Sequence, residues 1–196
     1  MRSVPSFDQL TLHTQRLHLR PLRTTDAPAL FAIFSDPRVM RYWSTPPWPD
    51  IDAAHRLIAQ DTQTMADGTC VRLGIERNHD GLLIGQCTLF NLNAQCRRAE
   101  VGYGLAHAAW GHGYMGEALL ALLDYGFTEL GLNRIEADID PANSASARSL
   151  ERLGFRREGH LRERWIVDGL VSDSLLYGLL LSDWQSGENR GAQIRT

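Results

Sequence analysis

The chain contains no lysine; all 20 of its basic side chains are arginine. No side-chain amine is therefore present to form a Schiff base, to attach pyridoxal phosphate, or to fill the lysine position of a phosphate-binding P-loop. Cysteine is scarce as well. Cys70, Cys87 and Cys96 form an odd set without C-x-x-C spacing, which argues against a disulfide framework and against a zinc site, so no metal is expected. Long apolar runs are missing. The best, Ala118 to Leu123, falls far below the roughly 18 residues of a membrane span. Met1 to Leu10 lacks the apolar stretch of a secretory signal, so a cytoplasmic location is expected. Nor does one sign of charge dominate: 20 basic against 23 acidic side chains leave a net charge of −3, and no overall field favours nucleic acid. Small molecules or cationic partners fit this balance better.

What is present is the material of one globular domain. The 196 residues are 43% hydrophobic and 22% charged, and a chain of this length buries roughly 70% of its unfolded surface. Leu10 to Leu22 alternates apolar and polar residues and reads as one strand. A helix follows, begun by Thr25 or Asp26 with Pro28 in its first turn, and Asp36-Pro37 stops it. Ser44 to Pro49 holds three prolines and must be a loop, which brings Trp43 and Trp48 together. Asp50 caps a second helix that runs to Gly68. Strands at Thr69 to Arg77 and Leu82 to Leu92 are joined by Asn78 to Gly81, and another follows at Ala99 to Leu105. Strand and helix then alternate: a helix from Gly111–Gly116 to Leu130, a strand at Arg134 to Ile139, a helix from Asn143 to Leu153, and a closing hairpin over Phe155 to Val167 and Val171 to Leu181. One α/β (α+β) domain spans residues 1–184, with about seven strands in a mixed, mostly antiparallel sheet and helices on both faces. Residues 185–196 read as a polar, disordered tail.

The most informative segment is Trp110-Gly-His-Gly-Tyr-Met-Gly-Glu-Ala118, where three glycines join a strand to a helix. Glycine lets backbone approach a ligand, and the free N–H groups of a helix's first turn attract a phosphate. A tight turn that only needs positive φ is the alternative. Gly111, Gly113 and Gly116 also spell a dinucleotide-binding fingerprint, with Glu136 and Asp138 about 20 residues on. That match is read as accidental. His107 to Trp110 intervene before the first glycine, and too little chain follows to build a second βαβ half.

Several separated motifs occur in one order. Glu100-Val-Gly-Tyr-Gly-Leu105, the glycine turn, and Asn143-x-x-Ser146-x-Arg148-x-Leu-x-x-Leu-Gly-Phe155 together resemble the GNAT superfamily of N-acetyltransferases. Thr14 to Pro21 and the closing Asp168-Gly to Asp173 with Tyr177 resemble its ribosomal-protein alanine/serine N-terminal acetyltransferase branch. The resemblance covers roughly residues 10 to 184. It implies acetyl-coenzyme A as co-substrate, acetyl transfer to a primary amine, and strands ending at Leu105 and Ile139 that splay apart to admit the cofactor. The pattern departs from the family at Trp110, where an arginine or glutamine is usual, at Met115, where a small residue is usual, and at Leu150, where many relatives carry a proton-donating tyrosine.

Acetyl transfer needs a deprotonated amine, a polarised carbonyl and a protonated leaving thiolate. Glu100 is the candidate base, because Gly102 and Gly104 share its strand face and leave room for substrate or a relaying water, whereas Val101, Tyr103 and Leu105 point into the core. Its alternative is a solvated carboxylate beside Arg97 and Arg98. Ser146 is the candidate acid. By resemblance, the amide of Leu105 or its neighbour polarises the carbonyl, Asn143 binds the pantetheine arm, and Trp110, Gly111, His112, Gly113, Tyr114, Met115 and Gly116 hold the pyrophosphate. Ser146 and Asn143 serve equally as helix caps. Tyr42, Trp43 and Trp165 are expected to wall the acceptor pocket. His107 and His112 lack a third ligand at metal spacing. Glu136, Asp138 and Asp140 alternate on a solvated strand face.

The acceptor is expected to be a protein N-terminal Ala or Ser, with a polyamine or antibiotic amine as alternatives. A non-catalytic coenzyme A-binding module is a second class and a nicotinamide oxidoreductase a third. A homodimer stays open.

Overall fold

Leu12 and Leu17 are an odd number of residues apart, so one straight strand cannot bury both on the same face. The computed structural model, which describes residues 6–186, breaks there. β1 (Leu12–His13) and β2 (Leu17–Arg20) form a small antiparallel hairpin with Leu12 opposite Leu19. The single strand expected over Leu10 to Leu22 is therefore two. Thr14 makes the turn by accepting the Leu17 amide on its hydroxyl at 2.9 Å.

α1 (Ala27–Phe34) buries Ala27, Leu30, Ile33 and Phe34. Asp36-Pro37 does end it, but the same pair opens a short further helix, α2 (Pro37–Met40): Pro37 takes a first-turn position and Asp36 accepts the Arg38 amide at 2.9 Å. α3 (Asp52–Ala66) follows the proline loop, with Asp50 accepting from the Ala53 amide. β3 (Val71–Arg77), β4 (Leu83–Asn93) and β5 (Arg98–Leu105) form a meander. Then come α4 (Tyr114–Thr128), β6 (Arg134–Ile139), α5 (Ser144–Arg152), the long hairpin β7 (Arg156–Val167) and β8 (Leu170–Leu180), and α6 (Leu181–Gln185). Of the tail expected at 185–196, positions from 187 onward lie outside the described residues.

Among the described residues the sheet has eight strands, in the order β1-β2-β3-β4-β5-β6-β8-β7. Every neighbouring pair is antiparallel except β5 and β6. α4 and α5 cover one face, where Leu119, Leu122, Leu123, Phe127 and Leu150 join Leu73, Cys87, Leu89, Val101 and Ile135 in the main core. α1, α2 and α3 cover the other, around Leu30, Phe34, Ala54 and Ile58. At ~25 cal/mol per Å² of buried apolar surface, these two layers supply most of the stabilisation.

A buried ion cluster ties the strands to the helices. Arg20 bonds both oxygens of Asp26 at 2.8 and 3.0 Å and Glu76 at 2.7 Å. No helix among the described residues is long and apolar enough to cross a membrane.

Candidate active site

β5 and β6 pair in register only from Arg98↔Arg134 through Ala99↔Ile135 to Glu100↔Glu136. Beyond that pair the strands separate, leaving Val101 to Leu105 on one arm and Ala137 to Ile139 on the other. Two parallel strands with unpaired inner edges expose backbone donors and acceptors that an extended ligand arm can bond. The separation opens into a groove of about 1490 Å³. Its lining includes Leu105, Trp110, Gly111, His112, Gly113, Tyr114, Met115, Gly116, Asn143, Ser146, Tyr42 and Trp43, residues drawn from four separate stretches of chain. Glu100 and Trp165 are not part of that lining.

The glycine turn forms the groove's far end. Gly111 and Gly113 have φ of +77° and +76°, the left-handed region that glycine enters at little cost, and Gly113 begins α4. Gly116 is different. It sits in the helix without positive φ, and a Cβ built on it would meet no atom within 4 Å. Nothing in the chain needs a glycine there, yet glycine in a helix costs about 1 kcal/mol relative to alanine. A ligand that must approach the backbone closely would require it. The first-turn amides of α4 have no helical partners and form a fitting cradle for a pyrophosphate.

Side chains from the β1–β2 turn brace this loop. Arg16 bonds Glu117 at 2.6 Å through Nε and the His112 carbonyl at 2.9 Å through Nη1, and its guanidinium lies 4.8 Å above the Tyr114 ring. Thr14 donates to Glu117 at 2.6 Å. Hydrogen bonds from Thr14 and Arg16 outweigh the burial that would raise the Glu117 carboxyl, and they hold it below its ordinary value. The Glu117 charge is therefore matched by Arg16 in the first turn of α4. Trp110, where the family usually has arginine or glutamine, is half exposed, and its indole N–H donates to the Leu105 carbonyl at 2.9 Å. It ties the loop to the end of β5. His112 Nδ1 lies 2.7 Å from the Trp110 carbonyl, and His107 packs on the Trp110 ring.

On the α4 side, Tyr103 Oη and Ser146 Oγ are 2.6 Å apart. Tyr103, expected in the core, does pack against it, and it also lines the groove. Burial pushes its phenol up to about 12, so it keeps its proton at neutral pH. Asn143 caps α5 by accepting the Ser146 amide at 3.1 Å.

On the α1 side, the room expected over the β5 glycines is filled. A Cβ added to Gly104 would lie 2.9 Å from the Trp43 ring and 3.1 Å from Phe34; one on Gly102 would lie 3.2 Å from Thr88 and 3.4 Å from Phe90. Bare backbone gives flat rings a surface to pack on. Trp43 and Trp48 both pack on Phe34, with centroids at 5.2 and 5.0 Å. Glu100 lies on this face, and its Oε1 accepts from Asn91 Nδ2 at 3.0 Å. Glu136 is held by Arg98 and Arg134 at 2.5 and 2.7 Å. Asp138 accepts from Ser174 and faces Arg164 at 3.5 Å. Trp165 is on β7, paired with Ser172 and stacked by Arg164. Cys87 is fully buried and burial pushes its thiol up to about 12, which disqualifies it as a nucleophile near neutral pH. Among the described residues no group of three or more His, Cys, Asp or Glu side chains is placed to hold a metal.

Residues 16–156 match the family model described as an acetyltransferase (GNAT) domain. The chain belongs to the GNAT acetyltransferase family. As a member it is an acetyl-CoA-dependent N-acetyltransferase. It is 36% identical over 174 residues to the uncharacterized N-acetyltransferase p20 of Bacillus licheniformis, covering 89% of this chain and 98% of that protein. It is 26% identical over 187 residues to the ribosomal protein uS5 alanine N-acetyltransferase of Escherichia coli, covering 91% and 95%. Among solved structures, the spermidine N-acetyltransferase of Vibrio cholerae in complex with CoA and spermine superposes with a TM-score of 0.78 at 27% identity, covering 88% of this chain and 99% of that one. RimJ of Mycobacterium smegmatis, in complex with CoA-disulfide, superposes with a TM-score of 0.76 at 27% identity, covering 88% and 90%. GNAT neighbours of this fold thus bind CoA.

Proposed function

We propose that this N-acetyltransferase moves the acetyl group of acetyl-CoA to a primary amine carrying a single charge, with a protein N-terminal Ala or Ser as the first choice, by direct attack in a ternary complex. The observation that carries this reading is the separation of β5 from β6 directly after Glu100↔Glu136, which opens the groove toward the α4 cradle and leaves the Glu100 carboxylate outside its lining, on the α1 face where the strands part. The amides of Gly113 to Gly116 hold the pyrophosphate, Asn143 bonds the pantetheine arm, and the amide of Leu105 or its neighbour polarises the acetyl carbonyl.

Glu100, on the α1 face, takes the proton of the attacking ammonium through a water. As the new C–N bond forms and the C–S bond breaks, Ser146 donates its proton to the departing sulfur, and Tyr103 replaces it from the 2.6 Å contact. This pair supplies the acid that Leu150 cannot. No covalent enzyme intermediate is needed.

The acceptor face supports a small monocation. Trp43 occupies the space over Gly104, which narrows the approach, and Glu136 and Asp138 are already engaged by arginines. A polyamine, the substrate in the name of the Vibrio relative, carries several ammonium groups that would need unengaged carboxylates. The test is an acceptor screen that follows release of the coenzyme A thiol. Peptides with free N-terminal Ala or Ser should react faster than spermidine; a preference for spermidine would reverse the assignment. Acetyl-CoA that stabilises the fold without thiol release from any amine would support a binding module, and stabilisation by NADH alone would support the dinucleotide reading.

A further inference from the structure

β4 does not keep register with β5 to its end. Partners run from Gly85↔Leu105 to Phe90↔Glu100 and then jump to Asn93↔Arg98. Asn91 and Leu92 thus oppose the one residue Ala99, which is a β-bulge, a device that re-aims side chains next to sites. Asn91 takes the strain of the bulge at φ +51°. Glycine would adopt that conformation at lower cost, although asparagine is among the side chains that tolerate it. What asparagine adds is an amide, and Asn91 Nδ2 donates to Glu100 Oε1 at 3.0 Å.

The surroundings of Glu100 make this bond count. Opposite it on β6 stands Glu136, a like charge at a paired position, where repulsion would push the Glu100 carboxylate aside. Arg98 and Arg134 engage both Glu136 oxygens at 2.5 and 2.7 Å, and Arg134 continues to Glu158. The β6 side is thereby closed on itself. Among the described residues, Asn91 is the side chain that hydrogen-bonds Glu100, and it occupies one oxygen while the other is left for a water or ammonium.

We propose that Asn91 is a positioning residue for the reaction: the β4 bulge holds its amide against Glu100 and fixes the carboxylate on the α1 face at the point where β5 and β6 part. This inference rests on the assignment of Glu100 as the base. A purely structural role for Asn91, forming the bulge, would be served as well or better by glycine.

The two roles separate in Asn91→Gly, which keeps the left-handed backbone and removes the amide. Its melting temperature should equal or exceed that of the parent, and the thermal shift produced by acetyl-CoA should be unchanged. Its kcat should fall about tenfold, in line with the loss expected when a reacting group is displaced by a fraction of an ångström. Asn91→Asp keeps the shape but sets a second carboxylate against Glu100, and should lose more rate than Asn91→Gly. In a Glu100→Gln background, Asn91→Gly should cost nothing further. If Glu100→Gln is slow but Asn91→Gly retains full kcat, the positioning role is wrong and the base assignment stands. If Glu100→Gln itself retains full rate, the base assignment fails and takes the positioning role with it.

Discussion

The hydroxyl of Tyr103 on β5 and that of Ser146 on α5 stand 2.6 Å apart across the groove between the splayed strands. Neither residue is near the other in sequence, and each alone has an ordinary explanation, as a packed aromatic and as a first-turn helical serine. Together they would form the proton donor proposed above, with a second proton behind it. Tyr103→Phe and Ser146→Ala should each lower kcat by about a hundredfold, the lower end of the range for loss of a general acid, while the acetyl-CoA thermal shift persists. Because the two act in series, the double variant should be little slower than the worse single one. Steady-state kinetics of the four proteins decides this, and additive losses would mean that the hydroxyls act independently.

Glu100→Gln should lower kcat about a hundredfold, within the range for loss of a general base, as steady-state kinetics would measure. Binding of acetyl-CoA should be retained, because Glu100 lies outside the groove lining. A variant that kept the parent's kcat would assign the base elsewhere.

Gly116→Ala offers an unusual combination. The added methyl meets no atom of the chain, and alanine in a helix is favoured over glycine by about 1 kcal/mol. The ligand-free protein should therefore melt at a higher temperature, while the shift caused by acetyl-CoA shrinks. Gly113→Ala should weaken binding too, but at a loss of stability of about 1–2 kcal/mol, because its φ of +76° disfavours any Cβ. Differential scanning fluorimetry with and without acetyl-CoA measures both effects. An undiminished shift for Gly116→Ala would remove the close approach of a ligand at that position.

Asp61 on α3 predicts how stability depends on pH. Its carboxyl is buried, with Arg72 Nε 2.9 Å from it. Burial pushes Asp61 up to about 6, and the attraction of Arg72 offsets this only in part. Between its ordinary value near 3.8 and about 6 the folded state binds the proton more tightly than the unfolded state, so this group makes stability fall as pH rises through that window. Asp26 works in the opposite sense at lower pH: hydrogen bonds from Arg20 and the Arg23 amide outweigh its burial and hold it below its ordinary value. The Asp61 contribution is isolated by the difference between the parent and Asp61→Asn in urea unfolding from pH 4 to 7. Parallel curves for the two proteins would show that Asp61 does not titrate in this range.

Local chemistry was legible in the linear pattern. Gly111 and Gly113 announced a turn into a helix because positive φ is a property of single residues, and Gly81, with φ of +68°, marked the link between two strands in the same way. The motifs at Glu100–Leu105, Trp110–Ala118 and Asn143–Phe155 likewise pointed to one family, and residues 16–156 match it. Leu10 to Leu22, expected as one strand and found as two, carried its own correction in the parity of Leu12 and Leu17.

What the sequence alone determined is therefore whatever depends on near neighbours along the chain: element type, helix starts, the glycine turn into α4 and the absence of lysine. What only the tertiary structure decided depends on distant segments meeting. The gap between β5 and β6 exists because their pairing ends at Glu100↔Glu136, the Tyr103–Ser146 hydroxyl pair exists because α5 returns over β5, and Glu100 is held because a bulge in β4 turns Asn91 toward it. Hydrogen bonds reach about 3 Å, so such partners become visible only after the sheet has fixed which strands are neighbours and in what register.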